Sequence, residues 1–188
     1  MTDTHSLPIF VPFPKIGRLH REMIVTEKID GTNASIFVPE GDGTLLAGSR
    51  NRWLTVDADN FGFAKWVLEH TIELRDLGPG LHFGEWWGQG IQRRYDQDRK
   101  RFSLFNVDRW TDGHPECCDV VPVLARNDSL DTFVINDVMD NLADTGSRAA
   151  PGFMSPEGVV IYCPQSRQSF KTTFQGDMDG KGRDVVPA

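Results

Sequence analysis

The sequence contains no apolar run near the roughly twenty residues that a membrane-crossing helix needs, so no membrane span is expected. Its first stretch, MTDTHSLPIFVPFPKIG, places no basic segment ahead of an apolar core, and no secretory signal is expected. Cysteine is scarce: Cys117, Cys118 and Cys163 make an odd count with no CxxC spacing. That excludes the usual zinc patterns and a disulfide framework, and reduced thiols in a cytoplasm are expected. The five histidines are scattered, and none forms an HExxH. An excess of positive charge is also missing: 20 Lys and Arg stand against 27 Asp and Glu, a net charge of −7. A protein gripping nucleic acid along many phosphates usually shows the opposite balance. Internal repeats and low-complexity linkers are absent as well.

What is present describes an ordinary globular chain, with 188 residues, 39% hydrophobic and 25% charged. One domain is expected, with enough chain to bury a core. MIVTEK (23–28) reads as a strand, DGTN as its turn, ASIFV (34–38) as the return strand and TLLAGS (44–49) as a third, together a short meander. NFGFAKWVLEHTIELRDL (60–77) changes to helical period through Phe63, Trp66, Val67, His70 and Leu74, with Asp59 as N-cap and Gly78-Pro79-Gly80 as the stop. LHFGEWWG (81–88) and RFSLFNVDRW (101–110) read as strands. LDTFVINDVMDNLADTG (130–146) reads as a second amphipathic helix ended by Gly146. EGVVIYC (157–163) and RQSFKTTF (167–174) are the last strands, and 175–188 reads as a loose tail. Mostly antiparallel strands with two helices make an α+β fold.

Lys28 stands at the end of the first strand, just before Asp30-Gly31. That is either an ordinary hairpin corner or a nucleophile held at the lip of a pocket. A nucleophilic lysine needs desolvation or nearby positive charge to shed its proton. Other charges sit in apolar strands: Glu85 in HFGEWWG, Glu157 at the head of EGVVIY, Lys171 in SFKTTF. Burying such charges unpaired is costly. Two acids and two lysines on separate strands therefore suggest one shared polar pocket. That set suits a metal–nucleotide site, oxygen ligands for the cation and ammonium groups for phosphate. QRRYDQDRKRF (92–102) carries five Arg or Lys against two Asp. It is either a local phosphate-contacting patch or a solvated loop.

EKIDGTN (27–33) resembles motif I of the covalent nucleotidyltransferases, the superfamily of ATP-dependent DNA ligases, RNA ligases and mRNA capping enzymes. GSRNRW (48–53) resembles the arginine-bearing segment that follows it. FGEWWGQGIQ (83–92) is similar to motif III, FSLFNVDRW (102–110) to motif IIIa, EGVVIY to motif IV and SFKTTF (169–174) to motif V. Asn33, five residues after the lysine, stands where DNA ligases and capping enzymes carry arginine, and so resembles the RNA ligase 2 branch.

The resemblance implies a nucleotidyltransferase (ATP-grasp-like) domain with mainly antiparallel sheets flanking a nucleotide pocket, spanning 1–188 with its motifs in 27–174 and no OB-fold. It implies an ATP-dependent RNA ligase that joins 5′-phosphate and 3′-hydroxyl ends through lysyl-AMP, with ATP and Mg2+ or Mn2+ as cofactors. RNA is the implied substrate and DNA a second candidate; a monomer is expected. Lys28 would take the AMP, Lys171 would neutralise the α-phosphate, and Glu157 would serve catalysis and the metal. Glu27 (mainly through its backbone), Arg50, Glu85 (on the ribose hydroxyl) and Phe105 (stacked on adenine) would bind the nucleotide. Asn33 would handle the 5′-phosphate end, with Arg93 and Arg94 along the polynucleotide. Gly31 would let the phosphate approach, and Asp30 would fix the turn through backbone amides. Two departures stand out: Ser169 and Thr173 flank Lys171 where a second basic residue is usual, and Asn106 follows Phe105, with Asp108 two residues on along the strand. A minimal DNA ligase, an adenylyltransferase acting on another acceptor and a nucleotide- or RNA-binding module without catalysis are the rival readings.

Overall fold

The computed structural model describes residues 11–14, 16 and 21–175; most of the expected tail lies outside them. Among the described residues, ten strands form two sheets. The smaller holds β1 (Met23–Lys28), β8 (Val123–Asn127), β9 (Gly158–Cys163) and β10 (Gln168–Thr173), in the order β10-β9-β1-β8. The larger holds β2 (Thr32–Val38), β3 (Leu46–Ser49), β4 (Trp53–Leu54), β5 (Gly80–Gly88), β6 (Lys100–Leu104) and β7 (Asp119–Val120), in the order β4-β3-β2-β5-β6-β7. All pairings are antiparallel except β6 with β7. The α+β expectation therefore holds.

Each sheet backs onto its own helical layer. Phe63, Ala64, Val67, Leu74 and Leu77 pack beneath the large sheet against Ile36, Ala47, Trp86, Phe102 and Leu104. These come from α1 (Phe63–Glu69), α2 (Thr71–Leu74) and a 3-10 turn at Arg75–Leu77. The single helix expected over 60–77 is thus broken at His70, whose Nδ1 lies 2.9 Å from the Trp66 carbonyl while Thr71 Oγ1 donates to Leu68 and Val67 carbonyls. Such side-chain bonds compete with the helical ladder. Asp59 caps from outside the helix, accepting from the Ala64 and Lys65 amides. The second layer is α3 (Thr132–Thr145), N-capped by the Asp131 side chain on the Phe133 amide and closed at Gly146. Its Leu142 packs on Met23, Val25, Val159 and Ile161 of the small sheet.

The strand pairing overturns one expectation that matters for function. Residues 23–49 are not a meander. β1 pairs with β8 and β9, whereas β2 pairs with β3 and β5. Residues 29–31 carry the chain from one sheet to the other. A second crossing lies at Val121–Pro122, between β7 and β8, and there the Glu27 amide donates to the Pro122 carbonyl. The expected strand over 101–110 also stops at Leu104. Phe105 to Trp110 form turns, so Asp108 does not share a strand face with Asn106; it pairs with Arg126 at 2.6 Å.

Candidate active site

With helices covering their outer sides, the remaining faces of the two sheets look toward each other across a cavity of about 790 Å3. Strand alternation decides who enters it. On β1, Met23 and Val25 point to α3, while Ile24, Thr26 and Lys28 line the cavity. On β2 and β5, Asn33, Leu81, Phe83 and Glu85 line it; Glu27, Arg50, Phe105 and Lys171 complete the set of expected residues there. Glu157 reaches it through Lys28, whose Nζ is 2.6 Å from Glu157 Oε2. The register puts Lys28 opposite Gly158, so the ion pair follows from strand pairing.

Every neighbour of Lys28 in the crossing is anchored away from it. The Glu27 carboxylate is 1% exposed, turned to the α3 side, where it accepts from the Ser147 hydroxyl and the Arg148 and Ala149 amides. Glu27 also lines the cavity, while its carboxylate is a clamp on the loop after α3. Ile29 is buried beside Trp87. The Asp30 amide donates to Tyr95 Oη (2.8 Å), and its carboxylate takes Arg93 Nε (2.9 Å). Asp30 therefore fixes the crossing through an arginine, correcting the expected bonds to amides. The Gly31 amide donates to Glu85 Oε1 at 3.1 Å. Gly31 is needed for closeness: a Cβ there would lie 2.5 Å from the Trp86 carbonyl and 2.7 Å from Trp87 Cβ. The two acids flanking Lys28 thus hold the backbone, and among the described residues Glu157 alone pairs with its ammonium group.

The basic run after β5 behaves differently from expectation. Arg93 is withdrawn from solvent: besides Asp30 it binds the Ser155 carbonyl and Gln175 Oε1. Lys100 donates to the Phe61 carbonyl, and Arg101 forms a fork on Asp119 while lying over Trp87. Arg94 and Arg99 remain exposed, and neither Arg93 nor Arg94 lines the cavity. Sequence reading missed Tyr95, Phe83, Phe170 and Trp110 as site residues. Tyr95 is fully buried and burial pushes its phenol up, so it stays protonated. The alternation of β5 was the available signal for Phe83; nothing local marked Tyr95.

Burial raises the Glu85 carboxyl to about 7, opposed by Lys28 and the Gly31 amide and reinforced by Glu157 and Asp30. The sign follows. The unfolded chain ionises Glu85 near its ordinary 4.5 while the folded chain keeps the proton, so folding binds more protons and stability falls as pH rises from 4.5 to 7. The full cost, about 3 kcal/mol at most, applies above pH 7. Glu85→Gln keeps the acceptor for Gly31 and removes the ionisation. Its urea midpoint should overtake that of the wild type as pH rises through this window; parallel pH curves would refute the assignment.

Two facing, mainly antiparallel sheets with a lysine–carboxylate pair at their crossing define a nucleotidyltransferase-type domain. The same fold appears in Naegleria gruberi RNA ligase: a mutant solved with ATP and manganese shares 20% identity at TM-score 0.60, covering 82% of this chain and 49% of that one. A second mutant with ATP and manganese shares 19% at TM-score 0.58, covering 89% and 57%, and one with AMP and manganese 19% at 0.56, covering 82% and 50%. This chain therefore spans about half the length of these solved relatives. A search of the curated proteins gave no match. The RNA ligase family model matches residues 21–174, and the chain belongs to that family.

Proposed function

We propose that this chain carries the adenylate-accepting chemistry of an ATP-dependent RNA ligase. The observation that carries the reading is Lys28 Nζ, on the cavity wall where the chain crosses between the sheets and 2.6 Å from Glu157 Oε2. Lys28 Nζ would bond the α-phosphorus of ATP as the bond to the β-phosphate oxygen breaks and pyrophosphate leaves. Glu157 Oε2 is the nearest acceptor for the proton that Nζ must lose. A 5′-phosphate would then displace Lys28 from the adenylate, and a 3′-hydroxyl would displace AMP, closing the strand. Positioning supplies much of the rate in such transfers.

Lys171 and Ser169, both on the cavity wall, would meet phosphate oxygens, and Phe105, 38% exposed, would offer a ring face to the base. Arg50 and Asn33 border the same cavity and suit the phosphates and the 5′-phosphate end. Among the described residues no three His, Cys, Asp or Glu form a preformed metal cluster. The donors present, chiefly Glu157, fit a Mg2+ or Mn2+ ion that takes its other ligands from phosphate and water. Such an ion would offset phosphate charge.

Incubation with α-labelled ATP and magnesium, followed by boiling in detergent and electrophoresis, tests the first step. A labelled band is expected; a chain that binds ATP without labelling is a binding module. Nicked duplex RNA and nicked DNA, offered in parallel, separate the RNA reading from the DNA one. For the polynucleotide, Arg94 and Arg99 are the exposed cations of the basic run. Arg94→Glu with Arg99→Glu should depress joining severalfold and flatten its salt dependence, since each phosphate contact adds roughly 0.7 to 0.9 to the slope. Self-labelling should persist. Joining at the wild-type rate and slope would make this run a solvated connection.

A further inference from the structure

Arg93 spends all three guanidinium nitrogens on segments that carry site residues. Nε binds Asp30 Oδ2 at 2.9 Å, two residues after Lys28. One terminal nitrogen donates to the Ser155 carbonyl at 3.2 Å, two residues before Glu157, and the other to Gln175 Oε1 at 2.9 Å, just past β10 and Lys171. These segments are the crossing into the large sheet and the two adjoining chain ends at one end of the small sheet, where Gly158 of β9 pairs with Thr173 of β10. We propose that Arg93 is a positioning residue that sets the Lys28–Glu157 geometry by tying the crossing to the start of β9 and the end of β10; the inference rests on Lys28 being the nucleophile.

Three observations separate this from an incidental ion pair. The pair is largely shielded, with side-chain exposures of 20% and 28%, unlike the surface Lys65–Glu69 pair at 67% and 55%. Exposed pairs are worth little. The main chain of Asp30 is gripped by the same loop, through Tyr95 Oη. And the loop holds an unfavourable backbone: Arg94, Tyr95 and Asp96 have φ of 63°, 51° and 53°. Three consecutive non-glycine residues in the left-handed region persist only where surrounding contacts fix them. Buried Ile91 and Tyr95 supply that anchorage. The three acceptors are met by three different nitrogens of one rigid plane, a spread that the single nitrogen of an ammonium group does not have.

The test uses the full chain with Arg93→Lys, Asp30→Asn and the double variant. Single-turnover self-labelling at saturating ATP should fall about tenfold or more in each single variant, because small misplacements of reacting groups are expensive. The ATP concentration for half-saturation should change far less. The double variant should be no slower than the slower single, since the two share one bond. Hydrogen exchange supplies a readout independent of activity: amides of 28–31 and 155–157 should exchange faster in Arg93→Lys while the α3 amides keep their protection. Unchanged exchange in those segments, or multiplied losses in the double variant, overturns the proposal. So does a rate loss that tracks a global fall in melting temperature and disappears on cooling. A wild-type chain that never labels would sink the nucleophile reading instead, leaving exchange to decide the role of Arg93.

Discussion

Lys28→Ala should yield no labelled band after boiling in detergent, a loss of several orders of magnitude. The nitrogen proposed to form the covalent bond is gone, and among the described residues no second amine pairs with Glu157 Oε2. Lys171 lies on β10, where its register partner is Val160, two residues beyond the Gly158 that faces Lys28. Lys28→Arg should fail equally, because guanidinium stays protonated. The variant should fold. Lys28 is partly exposed and its backbone is held by its neighbours, so the cost is the orphaned Glu157 carboxylate, about 1–3 kcal/mol. A melt on the same sample checks this. A folded Lys28→Ala protein that labels as well as the wild type would end the proposed mechanism.

The sequence made the motif residues legible and misjudged the framework between them. β1 and β2 looked like a hairpin because Asp30-Gly31 is a turn signal joining two β-rich runs. Yet β2 finds its partner in β5, about fifty residues on, and nothing local encodes a change of sheet. Pro122 hid the second crossing in the same way, splitting DVVPVLARN into β7 and β8 of different sheets. By contrast α3 was legible almost to the residue, since its helical period and its stop at Gly146 are local chemistry. Glu27 and Asp30 were visible as acids beside a lysine, expected at the nucleotide through the backbone and at the amides of the turn, but the partners of their carboxylates were not visible. Alternation along β1 sends Glu27 to the opposite face, and a residue 63 positions away claims Asp30. Arg93 read as surface charge for the same reason: composition reports a cation and not its direction.

Removing the Glu157 carboxylate should cost the next largest amount, and its size separates chemistry from structure. The residue's main chain is fixed independently of the ion pair. The Phe174 amide donates to the Glu157 carbonyl, and Gly158 next to it is confined, with φ 149° and the Thr172 carbonyl where a Cβ would go. Strand register then keeps Lys28 beside this corner after substitution. Glu157→Gln, nearly the same shape, should therefore leave the fold and ATP binding near normal while slowing self-labelling about 10²- to 10⁴-fold, the range for a lost proton-transfer group. Its dependence on magnesium should weaken as well, the labelling rate losing most of its saturable rise with added ion. If Glu157 served only to pair Lys28, the glutamine variant would instead melt earlier and label at the wild-type rate once cooled below its transition. Rate and melting curve from one preparation distinguish these outcomes. A Glu85→Gln sample run beside it gives the contrast: there pH-dependent stability should move, and labelling should fall much less than in Glu157→Gln, because Glu85 holds the Gly31 amide and makes no ion pair with Lys28.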